Sequence, residues 1–103
     1  MSVPTPTLEG TPGDDLLMGT EGYDFILGHA GNDVIHGLGG DDQLFAGDGE
    51  DFLYGGEGND MLYAGAGGEG DKHYYGGTGD DIFWADTGND WIEGGQGNDH
   101  VSG

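Results

Sequence analysis

The sequence has no cysteine, no arginine and a single lysine, Lys72, set against 21 acidic residues in 103. Without cysteine, no disulfide can hold the chain, and cysteine usage says nothing of its redox compartment. A formal net charge of −20 repels phosphate, which argues against nucleic acid and against anionic membrane surfaces. No apolar run approaches the ~18 residues that a membrane span needs. The segment Met1–Thr7 has neither the basic start nor the apolar stretch of a classical signal peptide. What the chain has in abundance is glycine, 26 residues. Glycine loses more backbone freedom on folding than any other residue, and uncompensated like charge pushes a compact state apart. A chain of this composition is expected to stay unfolded until cations neutralise it.

The order within that composition is strict. After residues 1–9, read as an N-terminal extension or linker, the chain divides into nines: GTPGDDLLM, GTEGYDFIL, GHAGNDVIH, GLGGDDQLF, AGDGEDFLY and GGEGNDMLY. Three residues, Ala64-Gly65-Ala66, are read as an insertion. The period then resumes as GGEGDKHYY, GGTGDDIFW, ADTGNDWIE and GGQGNDHVS, and Gly103 opens a further unit, as in a segment cut from a longer array. Residues 10–103 are thus one repeat domain. Position four is always Gly. Position six is Asp15, Asp24, Asp33, Asp42, Asp51, Asp60, Asp81, Asp90 and Asp99, with Lys72 replacing it in the seventh unit. Position eight is always bulky, from Leu17 and Ile26 through Tyr74 and Phe83 to Val101.

The first six positions hold turn residues that tolerate positive φ. The last three are rich in aromatic and β-branched residues, as in a short strand. Side chains alternate across a strand, so position eight faces one way and positions seven and nine the other. Two units make one turn of a flattened coil, with a strand on each side and the position-eight residues inside. So thin an interior does not offset the entropy of ordering this much glycine. The Asp-bearing loops must supply the rest.

This unit resembles the calcium-binding nonapeptide of the RTX (repeats-in-toxin, haemolysin-type) family. The resemblance implies an all-β fold, a right-handed parallel β-roll (a β-helix solenoid) with two short-stranded parallel sheets. It also implies that each calcium lies between a loop and the loop one coil turn later. The first loop gives the carbonyls of positions two and four and its Asp. The later loop gives the carbonyls of positions one and three and its own Asp. Carried over, the first and third units offer Thr11, Gly13 and Asp15 with Gly28, Ala30 and Asp33. The second and fourth offer Thr20, Gly22 and Asp24 with Gly37, Gly39 and Asp42. The third and fifth offer His29 and Gly31 with Ala46 and Asp48, and the fourth and sixth offer Leu38 and Gly40 with Gly55 and Glu57. The sixth and eighth offer Gly56 and Gly58 with Gly76 and Thr78. The eighth and tenth offer Gly77 and Gly79 with Gly94 and Gln96. Calcium favours such a set, because it takes six to eight oxygens from carboxylates and carbonyls. For an isolated Asp, a turn-capping role would be the better reading; nine in register favour coordination. The position-five acids Asp14, Asp41, Glu50, Asp71 and Asp80 read as solvated charge.

An ammonium group cannot coordinate calcium, so Lys72 should remove the two pairings that involve the seventh unit. Six well-occupied ions are expected, with one or two weak sites more, up to eight, if Asp71 swings into the vacant slot. Lys72 either pairs with Asp51 or Asp90, the neighbouring rungs of its edge, or sits in a loop that bulges outward. The outward positions carry many rings: Phe25, Phe45, Tyr63 and Trp84 on one sheet, Phe52, Tyr54, Tyr75 and Trp91 on the other. They form either a cross-strand ladder or a surface for another copy, a neighbouring domain or a glycan. They offer no regular Thr or Asn array of the kind an ice-binding face would want. His29, His36, His73 and His100 lack metal-site spacing, and no catalytic constellation stands outside the repeat. RTX relatives are secreted by type I systems, which implies an extracellular place for this chain.

Overall fold

The computed structural model describes residues 8–64, 70–85 and 90–102. Among them are eleven short strands: β1 Leu8–Glu9, β2 Leu16–Met18, β3 Phe25–Leu27, β4 Val34–His36, β5 Gln43–Phe45 and β6 Phe52–Tyr54. There follow β7 Met61–Tyr63, β8 His73–Tyr75, β9 Ile82–Trp84, β10 Trp91–Glu93 and β11 His100–Ser102. They wind as a parallel β-solenoid of about 5 turns. One sheet runs β1-β3-β5-β7-β9-β11 and the other β10-β8-β6-β4-β2, so sequence neighbours lie in opposite sheets. All pairs are parallel and in register at equal repeat positions, as in Leu44↔Leu62 and Leu53↔Tyr74. The even-numbered repeats feed the first sheet and the odd-numbered repeats the second, which places the even loops along one edge and the odd loops along the other.

Each central strand buries its middle residue and half-exposes its flanks. The buried residues, Ile26, Ile35, Leu44, Leu53, Leu62, Tyr74 and Phe83, form one narrow core. Burial fades at both ends: Leu17 and Ile92 are only partly covered, and Val101 is exposed. The core is one residue thick, as the period predicts.

Two boundaries differ from the sequence reading. Leu8–Glu9 pairs with Ile26 and Leu27, so regular pairing begins inside the segment set aside as an extension. Those two residues fit positions eight and nine of a unit whose first seven residues do not match the repeat in sequence. The insertion also shifts. Position-one residues donate their N–H to the strand one turn on, as Gly10 does to Leu27 and Ala46 to Tyr63; Ala64 does the same to Trp84 (2.9 Å). Ala64 is therefore position one of the seventh unit. Residues 65–69, which take in the rest of the expected insertion and the start of that unit, lie outside the described residues. A run of Ala and Gly cannot reveal which small residue takes the strand-end hydrogen bond.

Candidate metal-binding edges

The loops follow from their dihedral needs. Position four has positive φ from the third unit on in every described loop, as at Gly31 (93°) and Gly49 (109°). An added Cβ there would strike the main-chain oxygen of the preceding rung, Gly13 and Gly31 respectively. That explains why position four admits only glycine. From the third unit on, position two of the described loops is left-handed as well, even where it is His29 (φ 68°) or Leu38 (φ 70°).

The position-six carboxylates form a ladder along each edge. Six Asp main-chain N–H groups donate to Oδ1 of the Asp one turn later: Asp15 to Asp33, Asp24 to Asp42, Asp33 to Asp51, Asp42 to Asp60, Asp60 to Asp81 and Asp81 to Asp99, at 2.7–2.9 Å. The main-chain carbonyl of the same residue accepts from position seven one turn later, as Asp24 does from Gln43 (2.9 Å). The Asp is thus built into the rung at three points, and Asp24, Asp33, Asp42, Asp51, Asp60 and Asp81 are buried.

The second oxygen is different. Oδ2 of Asp33, Asp42, Asp60 and Asp81 is buried and has no hydrogen-bond partner in the protein. Burial pushes these carboxyls up, Asp33 to about 6, Asp42 and Asp81 to about 7 and Asp60 to about 8. Each Oδ2 shares its surroundings with the position-one carbonyl of the later loop. A Cβ built on Gly10, Gly28, Gly37, Gly55 or Gly76 would lie 2.5–3.0 Å from both: Asp15 and Gly28, Asp33 and Ala46, Asp42 and Gly55, Asp60 and Gly76, Asp81 and Gly94. Gly19 has the same two neighbours in Asp24 and Gly37. These six rungs are the six pairings expected from the sequence.

Other expected donors are placed otherwise. The position-two carbonyls of Leu38, Gly56 and Gly77 accept from Glu57, Thr78 and Gln96 (3.0–3.2 Å). In the first two units, N–H of Thr11 and Thr20 donates to Oδ2 of Asp15 (2.6 Å) and Asp24 (2.7 Å). Their hydroxyls lie within 3.3 Å of the same carboxylates. Two carboxylates are therefore already held by their own loop. Position five, read as solvated charge, makes a second and more exposed ladder of opposite polarity. Asp14 accepts from Asn32 and Asn32 from Glu50; Asp41 accepts from Asn59, Asn59 from Asp80 and Asp80 from Asn98. The recurrence of Asp and Asn at that position was the available signal.

Lys72 points inward. Its Nζ donates to the position-four carbonyl of Gly49 (2.8 Å) and lies 3.5 Å from Asp51 Oδ2, with both side chains fully buried. It fills the fifth–seventh rung; its own N–H donates to Asp90 Oδ1 (3.0 Å). Of the sequence alternatives, the ion pair with Asp51 is formed. The loops of the seventh–ninth rung fall largely outside the described residues.

Outside the roll, rings stack in columns. Phe45, Tyr63 and Trp84 run at centroid spacings of 4.3 and 4.5 Å with interplanar angles of 7° and 3°. His36, Tyr54 and Tyr75 do likewise at 4.5 and 4.8 Å, and Phe52 stacks on His73 at 4.4 Å.

Among the described residues, no three His, Cys, Asp or Glu side chains converge as a metal cluster, so a cation on these edges would depend on main-chain oxygens. None of the described elements is a helix long and apolar enough to cross a membrane. No curated protein and no solved structure matches the chain. Comparison with protein families matches residues 9–44, 36–68 and 75–103 to the RTX calcium-binding nonapeptide repeat (4 copies), and no catalytic family is found. With its Asp ladders, glycine turns and two parallel sheets, the chain belongs to the RTX calcium-binding nonapeptide repeat family.

Proposed function

We propose that the six glycine-lined rungs each hold one calcium ion and that the roll folds when they fill. The observation that carries this reading is the buried, unpartnered Oδ2 of Asp33, Asp42, Asp60 and Asp81. An uncompensated buried carboxylate costs several kcal/mol, and a hard cation among carbonyl oxygens offsets that cost. On each rung the donors are the two Asp side chains, the position-one and position-three carbonyls of the later loop and the position-two and position-four carbonyls of the earlier one. The position-two carbonyls keep a second lone pair beyond their hydrogen bonds. At Thr11 and Thr20 the ion displaces the N–H from the carboxylate. Filling these sites neutralises much of the net charge of −20, which otherwise drives the chain apart.

The module serves as a calcium-driven folding unit without catalytic chemistry of its own. RTX repeats are typical of secreted bacterial proteins, and we place this one outside the cell, where calcium is plentiful, after export by a type I system. The ring columns support a structural role over a glycan platform. Stacked rings cover one another's faces and turn their edges outward, whereas a sugar stacks on an open face.

Circular dichroism decides the main point. At neutral pH in EDTA the chain should give a disordered spectrum, and millimolar calcium should convert it to β. Magnesium should do so poorly, because it dehydrates reluctantly and demands octahedral geometry. A β spectrum in EDTA at neutral pH would overturn the reading.

A further inference from the structure

The two edges differ at position one in a way the sequence register had hidden. On the even edge this residue is Gly19, Gly37, Gly55, Gly76 and Gly94; on the odd edge it begins as Gly10 and Gly28, then changes to Ala46, Ala64 and Ala85. Ala46 and Ala64 are buried, and Ala85 packs against the core. On every glycine rung, a Cβ at position one of the earlier loop would crowd both the Asp Oδ2 and the carbonyl of the later loop. The change to alanine therefore puts a methyl group where the other rungs keep their two oxygens. It starts at the fifth unit, whose Asp51 faces Lys72 instead of a second Asp.

We propose that Lys72 is a resident cation that takes the place of calcium on the fifth–seventh rung, so that this rung closes without metal and excludes it. The inference rests on the calcium reading of the other rungs. The Lys72 ammonium meets the Gly49 carbonyl and Asp51 Oδ2, two of the oxygens that would have been ligands there. One positive charge on a tether stands where a divalent ion would need both carboxylates. The Ala46 methyl removes the room for a fuller shell. The rung lies beside the segment that departs from the nine-residue period. Across it the pairing distance along the chain is 21 residues rather than 18, yet the carboxylate ladder (Asp60 to Asp81) continues. A cation attached to the chain holds register there, once the roll has formed, without a calcium ion of its own.

The experiment counts ions by native mass spectrometry and calorimetry on the full chain, using calcium alone. Ala46→Gly with Lys72→Asp should fold in calcium and carry at least one ion more than wild type. Lys72→Met should leave the count unchanged. It should also raise the calcium midpoint for folding roughly two- to threefold, because the loss of a buried partner is shared among several coupled ions. An equal count in wild type and the double variant would overturn the inference, as would an unchanged midpoint in Lys72→Met should the double variant not fold. A wild-type chain that bound no calcium would sink the calcium reading itself, a result distinguishable from either.

Discussion

The even edge and the lower half of the odd edge share one backbone, yet they treat charge in opposite ways. On the even edge, Asp42 and Asp60 line their rung, Gly37 leaves room beside them, and two carboxylate oxygens have no partner in the protein. On the odd edge, Asp51 meets Lys72 and Ala46 fills the corresponding space. Small changes at positions one and six, with the strand ladder intact, convert a rung that waits for a cation into one that brings its own. The solenoid is therefore modular: hydrogen bonds of main chain to main chain set the coil, and each rung's ion chemistry is chosen locally.

The largest expected effect separates the edges directly. Asp60 serves the fourth–sixth and the sixth–eighth rungs, and its Oδ1 accepts the N–H of Asp42. Asp60→Ala should lose two ions and leave that N–H unmet, at about 1–3 kcal/mol for the hydrogen bond alone. Asp90→Ala strips the same kind of bond from Lys72 N–H with no ion to lose. The comparison thus isolates the metal contribution. It is checked by calcium-dependent melting and ion counts; equal losses in the two variants would show the edges to be alike.

A smaller change should act on one rung only. In Gly55→Ala the new methyl would stand 2.6 Å from Asp60 Oδ2 and 2.9 Å from the Gly76 carbonyl. That variant should bind one ion fewer, whereas Ala46→Gly alone, with Lys72 in place, should bind as many as wild type. Calorimetric stoichiometry tests both.

The edges should also differ in their response to acid. Burial raises Asp60 to about 8 and Asp42 and Asp81 to about 7 on the even edge. It raises Asp51 only to about 6, with the hydrogen bond from Asp33 N–H and, after it, the nearby Lys72 charge working against the rise. Because these folded carboxyls hold protons more tightly than unfolded ones, folding takes protons up. Stability of the metal-free roll is then greatest below about pH 4 and falls as pH rises through the window from 4 to 8. Calcium binding runs the other way, releasing protons and weakening as pH falls through 8 to 6. In EDTA, a β signal should appear on acidification and fade toward neutral pH. In Asp60→Asn the upper part of that window should disappear, while Asp51→Asn should leave it in place.

Much of this was legible from the repeat, and the rest failed for local reasons. Position eight announces the core because only bulky residues fill it, and position six announces the ladders because Asp recurs every nine residues. The coil narrowed the partner of Lys72 to Asp51 or Asp90, one turn away on either side of the odd edge, and left an outward bulge open; the inward turn of its side chain toward Asp51 was not legible. Ala64 escaped because Ala, Gly, Ala and Gly are interchangeable until a hydrogen bond picks one. The Thr11 and Thr20 contacts escaped because they depend on which way one peptide group turns. The position-five ladder escaped because a hydrogen-bonded Asp and a solvated one look alike in a sequence.

The smallest expected effect concerns the rings, and it tests whether the two sheets differ as the two edges do. Tyr63 is stacked on both sides, by Phe45 and by Trp84, and Tyr54 is stacked on both sides by His36 and Tyr75. All of these columns lie outside the core, so truncating a ring opens no cavity in it and touches no loop. Each aromatic contact contributes about 0.5–1.5 kcal/mol beyond the area it covers. Tyr63→Ala and Tyr54→Ala should therefore each lower stability in saturating calcium by roughly 1–2 kcal/mol and leave the ion count unchanged. Trp84, at 36% exposure, stacks on the Tyr63 side of its column, so Trp84→Ala should cost about half as much. Urea melts in excess calcium read these losses. Sedimentation of the same variants checks the other role the sequence allowed the rings. If Trp84→Ala dissociated an assembly while leaving the urea midpoint untouched, the column would be a contact surface and not a cross-strand support.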